Sequence, residues 1–125
     1  WLADYQITEG AAAKRGAFFN TPKNEYIYTR GTGKAAEGIA DAYILSRELN
    51  LDKLAERHQS VLSGALQWLM RMQFTAESSY FIPAKNQLLV VGGFRHDLLN
   101  QELWNDSAAH FILAASTYLQ HESDF

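Results

Sequence analysis

The sequence contains no cysteine. Disulfide scaffolds, zinc ribbons and thiol catalysis are therefore excluded. An absence of thiols fits a cytoplasmic and a periplasmic setting equally, so it assigns no compartment. Positive charge is not in excess either. Eleven Lys and Arg stand against fourteen Asp and Glu, for a formal net charge of -3. Nucleic acid is not an expected partner, because binding it requires a basic face. No apolar run approaches the ~20 residues of a membrane span, so no membrane partner is expected. The chain opens on Trp1 with no charged-then-apolar leader, which reads as an excised or processed segment of something longer. What is present is a core-forming composition: 125 residues, 47% hydrophobic, 13% aromatic and 20% charged. That predicts one folded domain over residues 1–125, with no low-complexity tract and no interdomain linker.

The first thirty or so residues show no clear period. Ala11–Ala13 can seed one helical turn between Gly10 and Gly16, Thr21-Pro22-Lys23-Asn24 reads as a turn, and Tyr26-Ile27-Tyr28 is β-prone but short. Gly31-Thr32-Gly33 breaks the chain again. From Lys34 to about Leu49 the pattern becomes helical, with Ala36, Ile39, Ala40, Tyr43 and Ile44 on one face. Small residues dominate that face and predict a close helical neighbour. Asn50-Leu51-Asp52 ends this helix and starts the next, with Asp52 as N-cap for Lys53–Gln73. The second helix carries the strongest signal: Leu54, His58, Val61, Leu62, Ala65, Leu66, Leu69 and Met72 on one side. Lys53, Glu56, Arg57, Gln67 and Arg71 lie on the other. So short a linker predicts an antiparallel hairpin.

Residues 74–103 read as a long, partly extended connection, of a length that often carries function. Within it Tyr80-Phe81-Ile82 and Leu88–Val91 are expected to pair as short strands across Pro83–Asn86, and Gly92-Gly93 ends the stretch. A third helix is expected over Ser107–Gln120, capped by Asn105 or Asp106, with Ala108, Phe111, Ile112, Ala115 and Leu119 inward and a frayed tail over 121–125. The first and third helices form a weak internal repeat. Ala35-Ala36-Glu37 aligns with Ala108-Ala109-His110, and each follows a loop holding an aromatic and an arginine: Tyr28 with Arg30, and Phe94 with Arg95. Helices that alternate in direction would place both loops at one end of the domain.

Ala65-Leu66-Gln67-Trp68-Leu69 with Gln73, then Gly92-Gly93-Phe94, then Asp106–His110 opening a small-residue helix, together resemble a hairpin of the α/α-toroid proteins. These are the six-hairpin glycosidases, related polysaccharide lyases and sugar epimerases, and the terpenoid cyclases. The resemblance covers roughly residues 28–120 and describes a scaffold common to several reactions. It implies an all-α fold of antiparallel hairpins, with chemistry at one end of the barrel. A complete toroid needs far more helices than this chain supplies, so the chain would be a segment of one. The Asp-rich diphosphate motif of the terpenoid cyclases is not seen.

Ionisable residues gather before and within the third helix: Arg95, His96, Asp97, Glu102, Asp106 and His110. Asp106 and His110 lie one turn apart and can share a proton or orient a hydroxyl, although Asp106 also suits an N-cap. Glu37 takes the equivalent place on the first helix, where the helix dipole alone would also favour it. Glu37, Asp97, Glu102, Asp106 and His110 are therefore the acid/base candidates, since paired carboxylates are the machinery of sugar-bond cleavage. Arg30, Arg95 and Trp104 are the substrate-binding candidates: guanidinium forks for a carboxylate, and a flat ring for a sugar face. Their competing roles are salt bridges and core packing. Among the other aromatics near these loops (Tyr26, Tyr28, Tyr80, Phe94 and Trp68), Trp68 suits the core. Gly31-Thr32-Gly33-Lys34 is not a Walker loop, because Tyr28 and Ala35 occupy positions that need Gly and Ser or Thr, though a helix N-terminus there could hold an anion. No metal spacing is present and no cofactor is expected. A triad of Ser107, His110 and Asp97 lacks a nucleophile elbow. The expected function is thus a segment of a carbohydrate-active enzyme (hydrolase, lyase or epimerase) acting on an oligosaccharide or other small-molecule substrate. The alternative is a non-catalytic helical-repeat interaction module. Self-association through uncovered helix faces is expected for a segment.

Overall fold

The computed structural model describes residues 1–21 and 23–122, and it is mostly helical. A short 3-10 helix spans Leu2–Tyr5. Four α-helices follow: α1 (Thr29–Glu48), α2 (Asp52–Met72), α3 (Ala84–Val90) and α4 (Asn105–Glu122). Among the described residues β-structure is limited to isolated bridges, so Tyr26-Ile27-Tyr28 forms no strand.

Helix α1 is the centre of the molecule, packed along both α2 and α4, which barely meet each other. Its buried face runs Ala36, Ile39, Ala40 and Tyr43, as the small-residue pattern predicts. It begins five residues earlier than expected. Gly31-Thr32-Gly33 does not break the chain but lies inside the first turns of α1. Local propensity loses here because tertiary contacts require those residues. The Thr32 hydroxyl accepts from the Phe18 amide at 3.1 Å. A Cβ on Gly33 would stand 2.9 Å from the Cβ of His110, so α4 approaches too closely for a larger residue. The helix ends where expected. Asn50 sits at φ 56°. Its amide bonds the Arg47 carbonyl at 3.0 Å and the Leu51 amide bonds the Ser46 carbonyl at 2.8 Å. That double closure around a left-handed residue is a Schellman motif, and Asn tolerates the conformation.

Helix α2 buries Ala55, Leu62, Ala65, Trp68, Leu69 and Met72, while Lys53, Glu56, Arg57, Gln67 and Arg71 are exposed. Two details differ from expectation. Leu54 is exposed and Ala55 takes the inward place. Asp52 is the first helical residue and makes no side-chain cap. Near the α1–α2 linker, the Ser46 hydroxyl meets His58 Nδ1 at 3.0 Å. At the other end, the Thr29 amide bonds the His96 carbonyl and the Arg95 amide bonds the Met72 carbonyl, at 2.9 and 3.1 Å.

The expected strands at Tyr80–Ile82 and Leu88–Val91 are not formed. The first stretch is a chain of turns, and the second lies in α3 and its C-terminal flank. A seven-residue helix is too short to display a 3.6 period, and short apolar runs are ambiguous between the two structures. Helix α4 begins at Asn105, two residues early. Ser107 and Ala114 are its buried residues, while Ile112 and Leu119, expected inward, are exposed. The chain before α1 folds across the helices. The Ile7 and Ala17 backbones pair at 2.9 Å, and Trp68 donates its indole N–H to the Ala13 carbonyl at 2.9 Å. Residues 12–16 form turns, so Ala11–Ala13 seed no helix. Thr21 and Asn24 close their expected turn by mutual backbone bonds; of the tail expected frayed over 121–125, His121 and Glu122 belong to α4, while 123–125 and Pro22 lie outside the described residues.

Candidate functional site

The N-terminal ends of α1 and α4 lie together because the two helices run in parallel. Arg30 faces Asp106, Glu37 faces His110, and Tyr43 faces Tyr118. Thr29 locks this end. Its buried hydroxyl meets Ser107 Oγ at 3.0 Å and donates toward the Arg95 and His96 carbonyls at 2.8 and 3.0 Å. One side chain thereby ties both helices to the 94–104 loop. Nothing in the sequence pattern singled out Thr29 or Ser107, since a lone hydroxyl carries no periodic signal.

On this frame sits a run of rings. Tyr26 and Tyr28 alternate along an extended segment, so they share one face and stack at 5.5 Å between centroids. Tyr28 lies 5.7 Å from the His96 ring, which lies 4.8 Å from Trp104. The Arg30 guanidinium covers both Tyr28 and Trp104, at 5.7 and 5.3 Å, and pairs with Asp106 at 3.3 Å. Trp104 is 38% exposed, so it belongs to the surface of the site and not to the core. Phe94, by contrast, is buried against Phe111 at 5.0 Å, and Trp68 is fully buried. Arg95 stacks over Phe74 at 5.0 Å. Beside the rings a cavity of about 280 Å³ is lined by Asn20, Tyr28, Lys34 and neighbouring apolar side chains.

The five acid/base candidates fall into separate contacts. Glu37 Oε2 and His110 Nδ1 meet at 2.7 Å, half-buried between α1 and α4. The pair joins the two positions that the internal repeat aligned. Asp97 is buried and accepts the Leu99 and Asn100 amides, both at 2.7 Å, together with the Tyr26 hydroxyl. Asp106 pairs with Arg30, and Glu102 is exposed, its carboxylate 3.5 Å from the Trp104 indole nitrogen. Ser107, His110 and Asp97 each face a different partner and form no triad. Gly31–Lys34 lies within the first turns of α1, which begins at Thr29, and not in a loop ahead of it. Among the described residues no three His, Asp or Glu side chains come together as a metal would require, and no helix is long and apolar enough to cross a membrane.

The site is polar-rich and incompletely paired. Among the described residues, the buried side-chain nitrogen and oxygen atoms without a hydrogen-bond partner are Arg30 Nε, Arg95 Nε, His96 Nδ1 and Asp106 Oδ1. All four belong to this one end. Buried polar atoms are normally satisfied, because leaving one unmade costs about 1–3 kcal/mol. Asp97 illustrates the opposite case. Burial pushes its carboxyl up, but the Tyr26 hydroxyl, the two amides and nearby His96 outweigh this and hold it below the ordinary carboxylate value. The same bond, with burial and the carboxylate charge, pushes Tyr26 up to about 12. Two pH effects follow. A lowered Asp97 contributes stability at neutral pH that disappears as pH falls through its folded value. A raised Tyr26 contributes stability that is complete below about 10 and disappears as pH rises through about 12. Tyr26→Phe is expected to move the Asp97 carboxyl upward and to lower stability most at neutral pH, with the deficit shrinking as pH falls below about 4, read by carboxyl-carbon NMR titration and by melting temperature from neutral to acid pH. An unmoved Asp97 titration would show that the hydroxyl is not its brace.

Compared with protein families, curated proteins and solved structures, the chain matches none.

Proposed function

We propose that the α1/α4 end binds an oligosaccharide, and that the chain is a segment of a carbohydrate-active enzyme built of α/α-toroid hairpins. The observation that carries this is the coincidence of an aromatic surface with the unsatisfied polar atoms. Tyr28 and Trp104 offer ring surface with His96 packed against both, and Arg30, Arg95, His96 and Asp106 hold the buried atoms without partners. A sugar supplies both complements at once: C–H faces for rings, and hydroxyls for donors and acceptors. An acidic sugar adds a carboxylate for the Arg forks.

Within that reading the Glu37–His110 pair moves the proton. The imidazole exchanges it with the substrate through Nε2, and the carboxylate fixes the tautomer by holding Nδ1. Hydrolysis, elimination and epimerisation all require such a transfer. Asp97 positions the ring surface through Tyr26, and Asp106 positions Arg30. The exposed Ile112, Leu113 and Leu119 of α4 are where an adjoining hairpin or a second copy would sit.

A second reading is favoured by a different region. Helix α3 buries no residue, Leu88 and Leu89 are 89% and 79% exposed, and Tyr80 and Phe81 in the preceding turns are exposed too. Such a patch suits a helical interaction module whose aromatic and aliphatic side chains contact a protein. A thermal-shift screen against neutral and acidic oligosaccharides separates the two. The enzyme-segment reading expects one sugar class to raise the melting temperature. It also expects Trp104→Ala and Arg30→Met to weaken that binding at least tenfold, and His110→Asn to spare it. No shift with any sugar, from a chain that melts cooperatively, rejects it in favour of the interaction module.

A further inference from the structure

A second cavity lies away from the rings, between the 6–16 segment and α2. Its volume is about 450 Å³, and its ionisable lining consists of Arg15 and Arg71, with no acidic side chain. In a chain of net charge -3 this is a local reversal of sign. Gln6 and Gln67 add amide groups to the wall, and Ile7 and Ala12 add apolar surface. The volume is that of a small-molecule site.

The wall is held in place before any ligand arrives. Arg71 donates to the Arg15 carbonyl at 2.6 Å, which sets its guanidinium against the Arg15 backbone. Gln6 Nε2 donates to the Gly16 and Val61 carbonyls at 3.1 and 2.7 Å, bridging the segment to α2. Trp68 adds a further tie at Ala13. Gly16 is pressed onto Gly64 so closely that a Cβ would stand 2.2 Å from the Gly64 carbonyl oxygen. Two arginines on a braced wall, with no carboxylate among the lining residues, form a cationic notch.

We infer that this notch is an oxyanion site that takes a small organic ligand through a phosphate or carboxylate group. The guanidinium fork matches both groups in geometry, and it stays charged at every physiological pH. The cavity shares no lining residue with the ring surface at the α1/α4 end, so it stands or falls independently of the oligosaccharide reading. Both arginines are exposed at the rim, so binding weakens as salt rises.

The test is an NMR titration of the full chain with potassium phosphate and, separately, with sodium acetate. Sodium chloride holds the ionic strength constant. The expected result is saturable movement of the Gly16 and Gly64 amides and of the Arg15 and Arg71 side-chain N–H signals. Saturation by phosphate alone identifies a phosphoryl ligand, and saturation by acetate alone a carboxylate. Arg15→Gln is expected to weaken the binding about tenfold or more, and Lys53→Gln, an exposed cation of α2 outside the cavity lining, to leave it unchanged. The Arg15 side chain makes none of the ties that brace the wall, so its variant tests the site even if Arg71→Gln loosens the loop. Shifts that fail to saturate with either anion, or that survive Arg15→Gln undiminished, overturn the assignment.

Discussion

Trp68→Ala is expected to lower stability by about 3–5 kcal/mol, the range for deleting a large aromatic from a packed core. Trp68 is fully buried on α2. Its indole N–H reaches the Ala13 carbonyl, so the same side chain fills the core and anchors the segment before α1. The loss divides unequally. Ala13 is exposed, and water can replace the hydrogen bond there, so most of the cost lies in the cavity left behind. Domains of this size hold roughly 5–15 kcal/mol in total, so the variant retains a marginal fold. Its melting temperature is expected to fall by on the order of 10–20 °C. Amide exchange is expected to accelerate over residues 7–18 more than at the centre of α1. A drop within about 1 kcal/mol would mean that the site collapses freely and that the ring is not a core anchor.

Gly16→Ala is expected to do comparable damage with a single methyl group. Gly16 adopts φ 96°, which an L side chain rarely tolerates. The new Cβ would also meet the Gly64 carbonyl oxygen at 2.2 Å, and that neighbour is backbone within α2, which cannot rotate away. Relief requires the loop to lift off the helix. That breaks the ties to α2: Gln6 to the Val61 carbonyl at 2.7 Å, Trp68 to the Ala13 carbonyl at 2.9 Å and Arg71 to the Arg15 carbonyl at 2.6 Å. About 3 kcal/mol or more is the expected destabilisation, from backbone strain together with overpacking. Chemical denaturation of both variants measures this directly. A neutral effect at Gly16 would mean that the segment does not rest on α2 in solution.

Both variants act where residues 6–16 rest on α2, whereas the rings of the proposed carbohydrate site are Tyr26, Tyr28, His96 and Trp104 at the α1/α4 end. Sugar binding at the rings is therefore expected to persist in either variant wherever the fold does. The aromatic surface depends instead on Thr29, whose hydroxyl joins α1, α4 and the 94–104 loop. This separation lets a failure of the fold be told from a failure of the site.

How much of this was legible beforehand depended on whether the deciding force was local. The inward face of α2 could be read directly, because an amphipathic stripe repeats through six turns and needs no partner to reveal it. The end of α1 at Asn50 was legible for the same reason: a residue that tolerates a left-handed backbone announces a stop. Glu37, His110, Asp106, Arg30 and Trp104 could be named as candidates by type and by their place near helix starts. What no local pattern contains is who meets whom. Glu37 and His110 lie far apart in the chain, and only the parallel packing of α1 and α4 brings their side chains to 2.7 Å. The same packing turned Gly31-Thr32-Gly33 from an expected break into helix, since His110 needs a neighbour without a Cβ and Phe18 needs the Thr32 hydroxyl. Residues 84–90 went the other way from expectation because a short apolar run has no period to read. Composition and periodicity, by themselves, determined that the chain is helical and which face of α2 turns inward. Tertiary structure decided where α1 begins, which acid faces which base, and that the unpaired polar atoms and the rings share one end. Those outcomes depend on distances between residues remote in sequence, and they exist only once the helices have packed.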